Sequence, residues 1–236
     1  MKSSEEQKGW TTYLWRFSYR MRFWLARHFQ GTFPSLYSTL DNQAEVPVQV
    51  AAYQFVSKNY VRHGDSVLDV GFGLGYGLEI MSEKADSLSG LEIDRRAVAR
   101  MKNSSINPKI VALKHFDGYS LPFPERSFDV VTCIDVIEHV TDYMRLLTNL
   151  CNVARRNVII STPNRRPENT NPEGKPRNPW HIREWSFEEF DQVLKQLGKK
   201  VEWNFLNGPW DGPFTVSQGI EDATLALTPA IIMRDC

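Results

Sequence analysis

Four glycines, Gly71, Gly73, Gly75 and Gly77, alternate with Phe72, Leu74 and Tyr76 directly after the apolar run Ser66-Val67-Leu68-Asp69-Val70. A short β-branched segment that breaks into glycines and then into a helical pattern is a strand, a sharp turn and a helix start. Glycine is needed there because the backbone must turn through unusual angles and let a ligand approach closely. Counting from either Gly71 or Gly73 fails the dinucleotide pattern G-x-G-x-x-G, since Tyr76 or Leu78 stands in the last place. What stands is D-x-G-x-G-x-G, and Asp69 at its start is a poor neighbour for a pyrophosphate and a good one for an ammonium group. The turn therefore predicts a nucleotide-type ligand with a cationic end, held by Gly71, Gly73 and Gly75 with Asp69.

The segments that follow alternate short strand-like runs with longer helical stretches, the order of βαβ units around a parallel sheet. Strands are expected at 66–70, 87–92, 109–115, 128–134, 157–162, 200–205 and 228–233. Helices are expected over 46–61, 76–84, 95–103, 142–154 and 186–198. The last opens on Ser186 with Glu189 three residues later, a capping box. Residues 164–181 contain Pro167, Pro172, Pro176 and Pro179 and are expected to be a loop without regular structure. Hydrophobic residues make up 42% of the chain, and 28 basic side chains balance 28 acidic ones. That composition suits a filled globular core and excludes whole-molecule electrostatic attraction to nucleic acid or anionic membranes. Three cysteines without C-x-x-C spacing argue against a disulfide framework or a cysteine zinc site. The opening MKSSEEQKGW lacks the apolar stretch of a secretory signal, and no run approaches the length of a membrane span, so the expectation is a cytoplasmic protein.

Two more carboxylates follow strand ends. Glu92 lies 21 residues after Gly71, where a carboxylate can accept from two ribose hydroxyls. Asp117 follows the third strand and suits an exocyclic adenine amine. The blocks VLDVGFGLGYG at 67–77, GLEID at 90–94, FDGYSLPFPERSFDVV at 116–131 and IDVIEHV at 134–140 resemble the class I S-adenosylmethionine-dependent methyltransferases. The resemblance implies an α/β, Rossmann-like, seven-stranded sheet with helices on both faces. It further implies S-adenosylmethionine as cofactor, with Gly71 to Gly75 around the methionine part, Glu92 at the ribose, and Asp117 with Gly118 at the adenine.

In an open α/β sheet ligands bind beyond the carboxyl ends of the strands. Asp135 to His139, after the fourth strand, should therefore face the methyl group, with Asp135 among the cofactor contacts. His139 is the first candidate general base, and His181, at the end of the proline-rich loop, is the second. STPN at 161–164 with HIREWSFEEF at 181–190 resembles a subset that includes ubiquinone-pathway O-methyltransferases and enzymes encoded with glycan biosynthesis genes. Small-RNA 2′-O-methyltransferases have a similar E-x-x-E-H and later His as a divalent metal site. Here Asp135 replaces the first Glu, while Glu138, His139 and His181 match. The base reading is preferred and no metal is assigned. The expected reaction is O-methylation of a small-molecule, lipid-linked or glycan acceptor. The alternatives are metal-dependent RNA ribose methylation and a non-catalytic cofactor-binding subunit.

Residues 1–45 form a separate segment before the domain at 46–236. Trp10, Tyr13, Phe17, Met21, Trp24 and Leu25 recur at helical spacing, with Arg16, Arg20 and Arg27 on another face. This N-terminal amphipathic arm reads as a lid on the core. Residues 10–29 also suit peripheral membrane contact, and single-stranded nucleic acid is the weakest of the three readings. The sequence sets no oligomeric state.

Overall fold

The computed structural model describes residues 47–104, 107–209, 212–219 and 228–234. The expected arm and its membrane reading lie outside the described residues. In chain order the elements are α1 (Pro47–Asn59), β1 (Ser66–Val70), α2 (Tyr76–Met81), β2 (Ser87–Glu92), α3 (Arg95–Ser104), β3 (Ile110–His115) and β4 (Phe128–Ile134). A 3₁₀ turn (Ile137–His139), α4 (Tyr143–Val153), β5 (Ala154–Ser161) and a second 3₁₀ turn (Pro167–Asn169) follow. The chain then forms α5 (Phe187–Lys195), β6 (Lys200–Asn207), β7 (Thr215–Ser217) and β8 (Thr228–Arg234).

One sheet contains all eight strands in the order β3-β2-β1-β4-β5-β8-β6-β7. The first five in that order are parallel, with Val70 opposite Leu91 and Asp69 opposite Thr132. β8 runs antiparallel to both β5 and β6, and β7 antiparallel to β6. The chain order reverses between β1 and β4, and the carboxyl ends of those two strands flank the crevice that opens there. Val70 and Ile134, the last residues of the two strands, deliver the glycine turn and the Asp135–His139 segment to that same edge.

Side-chain alternation along the strands builds two cores. Leu68, Val70, Val131, Cys133, Val158 and Ile160 pack with Leu146, Leu147 and Leu150 of α4 and Phe190 and Leu194 of α5. Val67, Leu88, Val130, Ile134 and Ile159 pack with Val48, Tyr53 and Val56 of α1, Leu78 and Met81 of α2, and Met101 of α3. Both faces are therefore covered, which is why the parallel strands read as continuous apolar runs. Among the described residues no helix is long and apolar enough to cross a membrane.

Three expectations are corrected. The sheet has an eighth strand, because Thr215–Ser217 pairs with Phe205–Asn207; three residues are too few to show a periodicity. β5 begins at Ala154 rather than Asn157. Arg155 binds Asp129 at 2.8 Å and Arg156 binds Asp65 at 2.5 Å, which ties two polar residues into the start of a buried strand. The proline-rich loop is also more ordered than expected. Asn169 Oδ1 accepts from the Arg166 amide at 2.6 Å, and bridges join Thr170 to Pro176 and Asn164 to Trp185. Pro167 begins the 3₁₀ turn, where its fixed φ is an advantage and its missing N–H costs nothing.

Candidate active site

The glycine turn is shaped by β2. The Gly71 amide donates to Leu91 O at 2.7 Å, and the Gly75 amide closes the turn on Phe72 O at 2.8 Å. Gly71, Gly73 and Gly75 all have positive φ, at 82°, 53° and 88°. Glu92 completes the turn from the neighbouring strand. Its Oε2 accepts from the Gly73 amide and its Oε1 from the Asp94 amide, each at 2.9 Å. Burial pushes its carboxyl above the usual range against those hydrogen bonds. Both oxygens accept backbone N–H groups and keep further acceptor capacity for ligand hydroxyls.

Asp69 lies beneath this turn, fully buried. Thr132 Oγ1 donates to Oδ1 at 2.7 Å, and the Tyr53 hydroxyl reaches both oxygens at 3.1 Å. It ties α1 to β1 and β4. Burial raises its pKa from 3.8 to about 7, against the lowering effect of those hydroxyls. A carboxyl whose folded pKa is raised contributes stability below its unfolded pKa and loses it as pH rises through the folded one. In the ligand-free protein this loss, from near pH 4 to above pH 7, amounts to roughly 4 kcal/mol by linkage. Denaturant unfolding at pH 5 and pH 8 is expected to show a steeper fall for the native chain than for Asp69→Asn. Equal slopes would show that the Asp69 carboxyl does not titrate in that range.

Asp117 and Gly118 follow β3. The Asp117 carboxylate is exposed and engaged in its own turn, accepting from the Tyr119 and Ser120 amides at 2.9 and 2.6 Å and from Ser120 Oγ at 2.8 Å. These bonds, the Ser120 amide foremost, hold its pKa at about 2. Gly118 has a φ of 95°, and a Cβ there would meet nothing within 4 Å.

Beyond β4 the structure draws Glu138, His139 and His181 together. Glu138 is fully buried; its Oε2 accepts from Thr162 Oγ1 at 3.2 Å, while Oε1 has no hydrogen-bond partner. That oxygen faces His139 Nε2 and His181 Nε2, both at 4.0 Å. One ligand atom from each of the three residues lies within 4.8 Å of the others. His139 Nδ1 donates to Trp180 O at 2.9 Å, and His181 Nδ1 to Glu184 Oε1 at 2.5 Å. Both tautomers thus turn Nε2 toward Glu138, and each ring is held by an outer partner in the way metal-binding imidazoles are. Burial, then the neighbouring His181, lowers the His139 pKa to about 4. Burial, then Asp135, raises the Glu138 carboxyl well above its usual value.

An orphaned, buried carboxylate oxygen facing two imidazole nitrogens fits a divalent cation. The N₂O donor set suits Zn²⁺, Fe²⁺, Co²⁺ or Mn²⁺ better than Ca²⁺. Asp135, the fourth member of the sequence pattern, is not among the three residues whose ligand atoms converge, though its charge acts on both Glu138 and His181. It has a φ of 51°, accepts from Ser161 Oγ at 2.6 Å, and bonds through its own amide to Ser161 O at 3.1 Å. The residues missed in the sequence are the supporting ones: Thr162, Asn178, Trp180 and Glu184. The spacing of His181 and Glu184 was the available signal, since i and i+3 on a tight turn bring an imidazole and a carboxylate together.

A protein-family profile described as a methyltransferase domain matches residues 68–161. A probable S-adenosylmethionine-dependent methyltransferase of Mycolicibacterium smegmatis is 33% identical over 141 residues, 59% of this chain and 53% of that protein. The small RNA 2′-O-methyltransferase of Arabidopsis thaliana is 29% identical over 176 residues, 61% of this chain and 19% of that protein. The chain spans about half the length of the mycobacterial relatives it matches. Among solved structures, an S-adenosylmethionine-dependent methyltransferase from Archaeoglobus fulgidus superposes with a TM-score of 0.62 at 17% identity, covering 84% of this chain and all of that one.

Proposed function

We propose that this chain, which carries a class I S-adenosylmethionine-dependent methyltransferase domain, transfers the methyl group of that cofactor to a hydroxyl oxygen held at the Glu138, His139 and His181 cluster. The observation that carries the acceptor side is the unpartnered Glu138 Oε1, buried opposite two imidazole nitrogens at the edge of the sheet where the glycine turn opens. S-adenosylmethionine supplies an electrophilic sulfonium methyl. The chain's own part is to hold and align: the turn at Gly71 to Gly75 permits close approach, Glu92 offers acceptors to the ribose hydroxyls, and Asp117 with Gly118 borders the adenine side.

Glu138, His139 and His181 would hold the divalent cation, which when bound supplies Lewis acidity that lowers the pKa of an acceptor hydroxyl. This reading is preferred over a His139 base because a pKa of about 4 leaves the imidazole neutral but weakly basic near pH 7. Neutrality is what a ligand needs. An acceptor with two adjacent oxygens, as in a glycan or a dihydroxylated ring, could meet such a centre through both. The likeness to the Arabidopsis small-RNA enzyme favours a second reading, in which the diol is a 3′-terminal ribose.

Calorimetry is expected to show binding of S-adenosylmethionine and S-adenosylhomocysteine but not NAD. Glu92→Ala should weaken the cofactor by about 1.5–3 kcal/mol, the scale of charged hydrogen bonds. Binding of NAD alone would reject the cofactor assignment. Transfer of labelled methyl groups to RNA ending in ribose, and none to RNA ending in 3′-deoxyribose, would select the second reading for the acceptor.

A further inference from the structure

The metal-facing nitrogen of His181 already has an occupant. Asn178 Nδ2 lies 2.9 Å from His181 Nε2. The carboxamide orientation is fixed by its other end, because Oδ1 accepts the Trp180 amide at 3.0 Å and an amide proton requires an oxygen there. Nδ2 is therefore the group facing the imidazole, and it can only donate. The ring is oriented just as firmly. Its Nδ1 proton goes to Glu184, so Nε2 is the unprotonated nitrogen and receives the Asn178 N–H. A neutral imidazole nitrogen has one lone pair, and that pair cannot serve Asn178 and a cation at once.

The same turn touches the second imidazole. The His181 amide donates to Asn178 O at 3.2 Å, and Trp180 O receives the His139 Nδ1 proton at 2.9 Å. The amides of Ile182 and Arg183 fasten the following residues to Glu138 O, at 2.9 and 3.4 Å. All three candidate ligands are thus braced by one short stretch, and within it Asn178 contacts a metal-facing atom.

We propose that the Asn178 carboxamide guards His181, holding Nε2 while no cation is bound and giving it up when a divalent cation enters. Cation binding is then coupled to the 178–181 turn at the end of the proline-rich loop. The proposal rests on the metal reading of Glu138, His139 and His181, and adds a competitor whose removal strengthens binding. A side chain that only supported the loop would weaken binding when removed.

The test is a titration of the full-length chain with CoCl₂ and with MnCl₂ by calorimetry, comparing native protein, Asn178→Ala and Asn178→Asp. Asn178→Ala deletes one competing hydrogen bond and is expected to bind about 2- to 10-fold more tightly. Asn178→Asp keeps the oxygen that accepts from Trp180, so the turn retains its brace, and it replaces the competing donor by an anionic oxygen. It is expected to bind more tightly than Asn178→Ala. In ¹⁵N spectra the Asn178 side-chain amide should shift on addition of ZnCl₂. Unchanged or weaker affinity in both variants, with the native chain binding cations, would overturn the guard and leave the metal reading standing. Absence of cation binding in the native chain and in both variants would overturn the two together.

Discussion

Replacing Glu138 by glutamine is expected to move two properties in opposite directions. Cation affinity should fall by roughly 10²-fold or more, because losses of 10- to 100-fold already follow from removing outer-shell partners and Glu138 is a direct ligand in this reading. Stability of the metal-free protein should rise. The carboxyl is fully buried, its Oε1 has no partner, and burial lifts its pKa well above the usual value. Such a group stabilises the fold below its unfolded pKa, and that contribution is lost as pH rises through the elevated folded value. Above neutrality, glutamine relieves the cost of a buried charge. Unfolding in the presence of EDTA at pH 8, set beside CoCl₂ calorimetry, checks both signs. A purely structural acid would give the stability change without the loss of affinity. If a histidine is instead the base, activity should survive EDTA, and loss of activity that Mn²⁺ or Zn²⁺ restores would exclude that mechanism.

The cofactor side was more legible in the sequence than the acceptor side, for a physical reason. The glycines, Asp69 and Glu92 are tied to strand ends, and a strand fixes its last residue by register, so order along the chain translates into position at one edge. Even there, the partners of Asp69 were not legible. Its place at the end of β1 was legible, but Tyr53 lies 16 residues upstream on α1, and no local pattern signals that its hydroxyl covers both carboxylate oxygens. Glu138 and His139 follow β4 directly and were equally legible. His181 comes after a proline-rich stretch, and its approach to Glu138 depends on backbone bonds from Ile182 and Arg183 that no periodicity encodes. Asp135 shares the D-x-x-E-H pattern, but its left-handed backbone and its bond to Ser161 are not encoded in that spacing.

Substitution at Gly71 should have the largest effect on the cofactor side, because the residue joins the two halves of the site. Its φ is 82°, and a Cβ placed there would lie 2.3 Å from Cγ2 of Val136, which is flanked by Asp135 and the Ile137–His139 turn. Alanine would therefore incur about 1–2 kcal/mol for a left-handed backbone and about 1–3 kcal/mol for the overlap. The overlap is relieved by turning the short, stiff Val136 side chain out of its rotamer or by moving β1's turn or β4's exit. Gly75 is an instructive contrast: its φ is 88°, but its Cβ would meet the end of Met101, a flexible side chain that can give way. Gly71→Ala is thus expected to weaken S-adenosylmethionine binding and cation binding together, with Gly75→Ala affecting the cofactor alone. Adding Val136→Ala to Gly71→Ala should recover the overlap portion and leave the backbone portion, a non-additive cycle readable by calorimetry. Strict additivity of the two substitutions would show that Gly71 and Val136 do not meet, and the turn after β1 would then have no mechanical hold on the acceptor cluster.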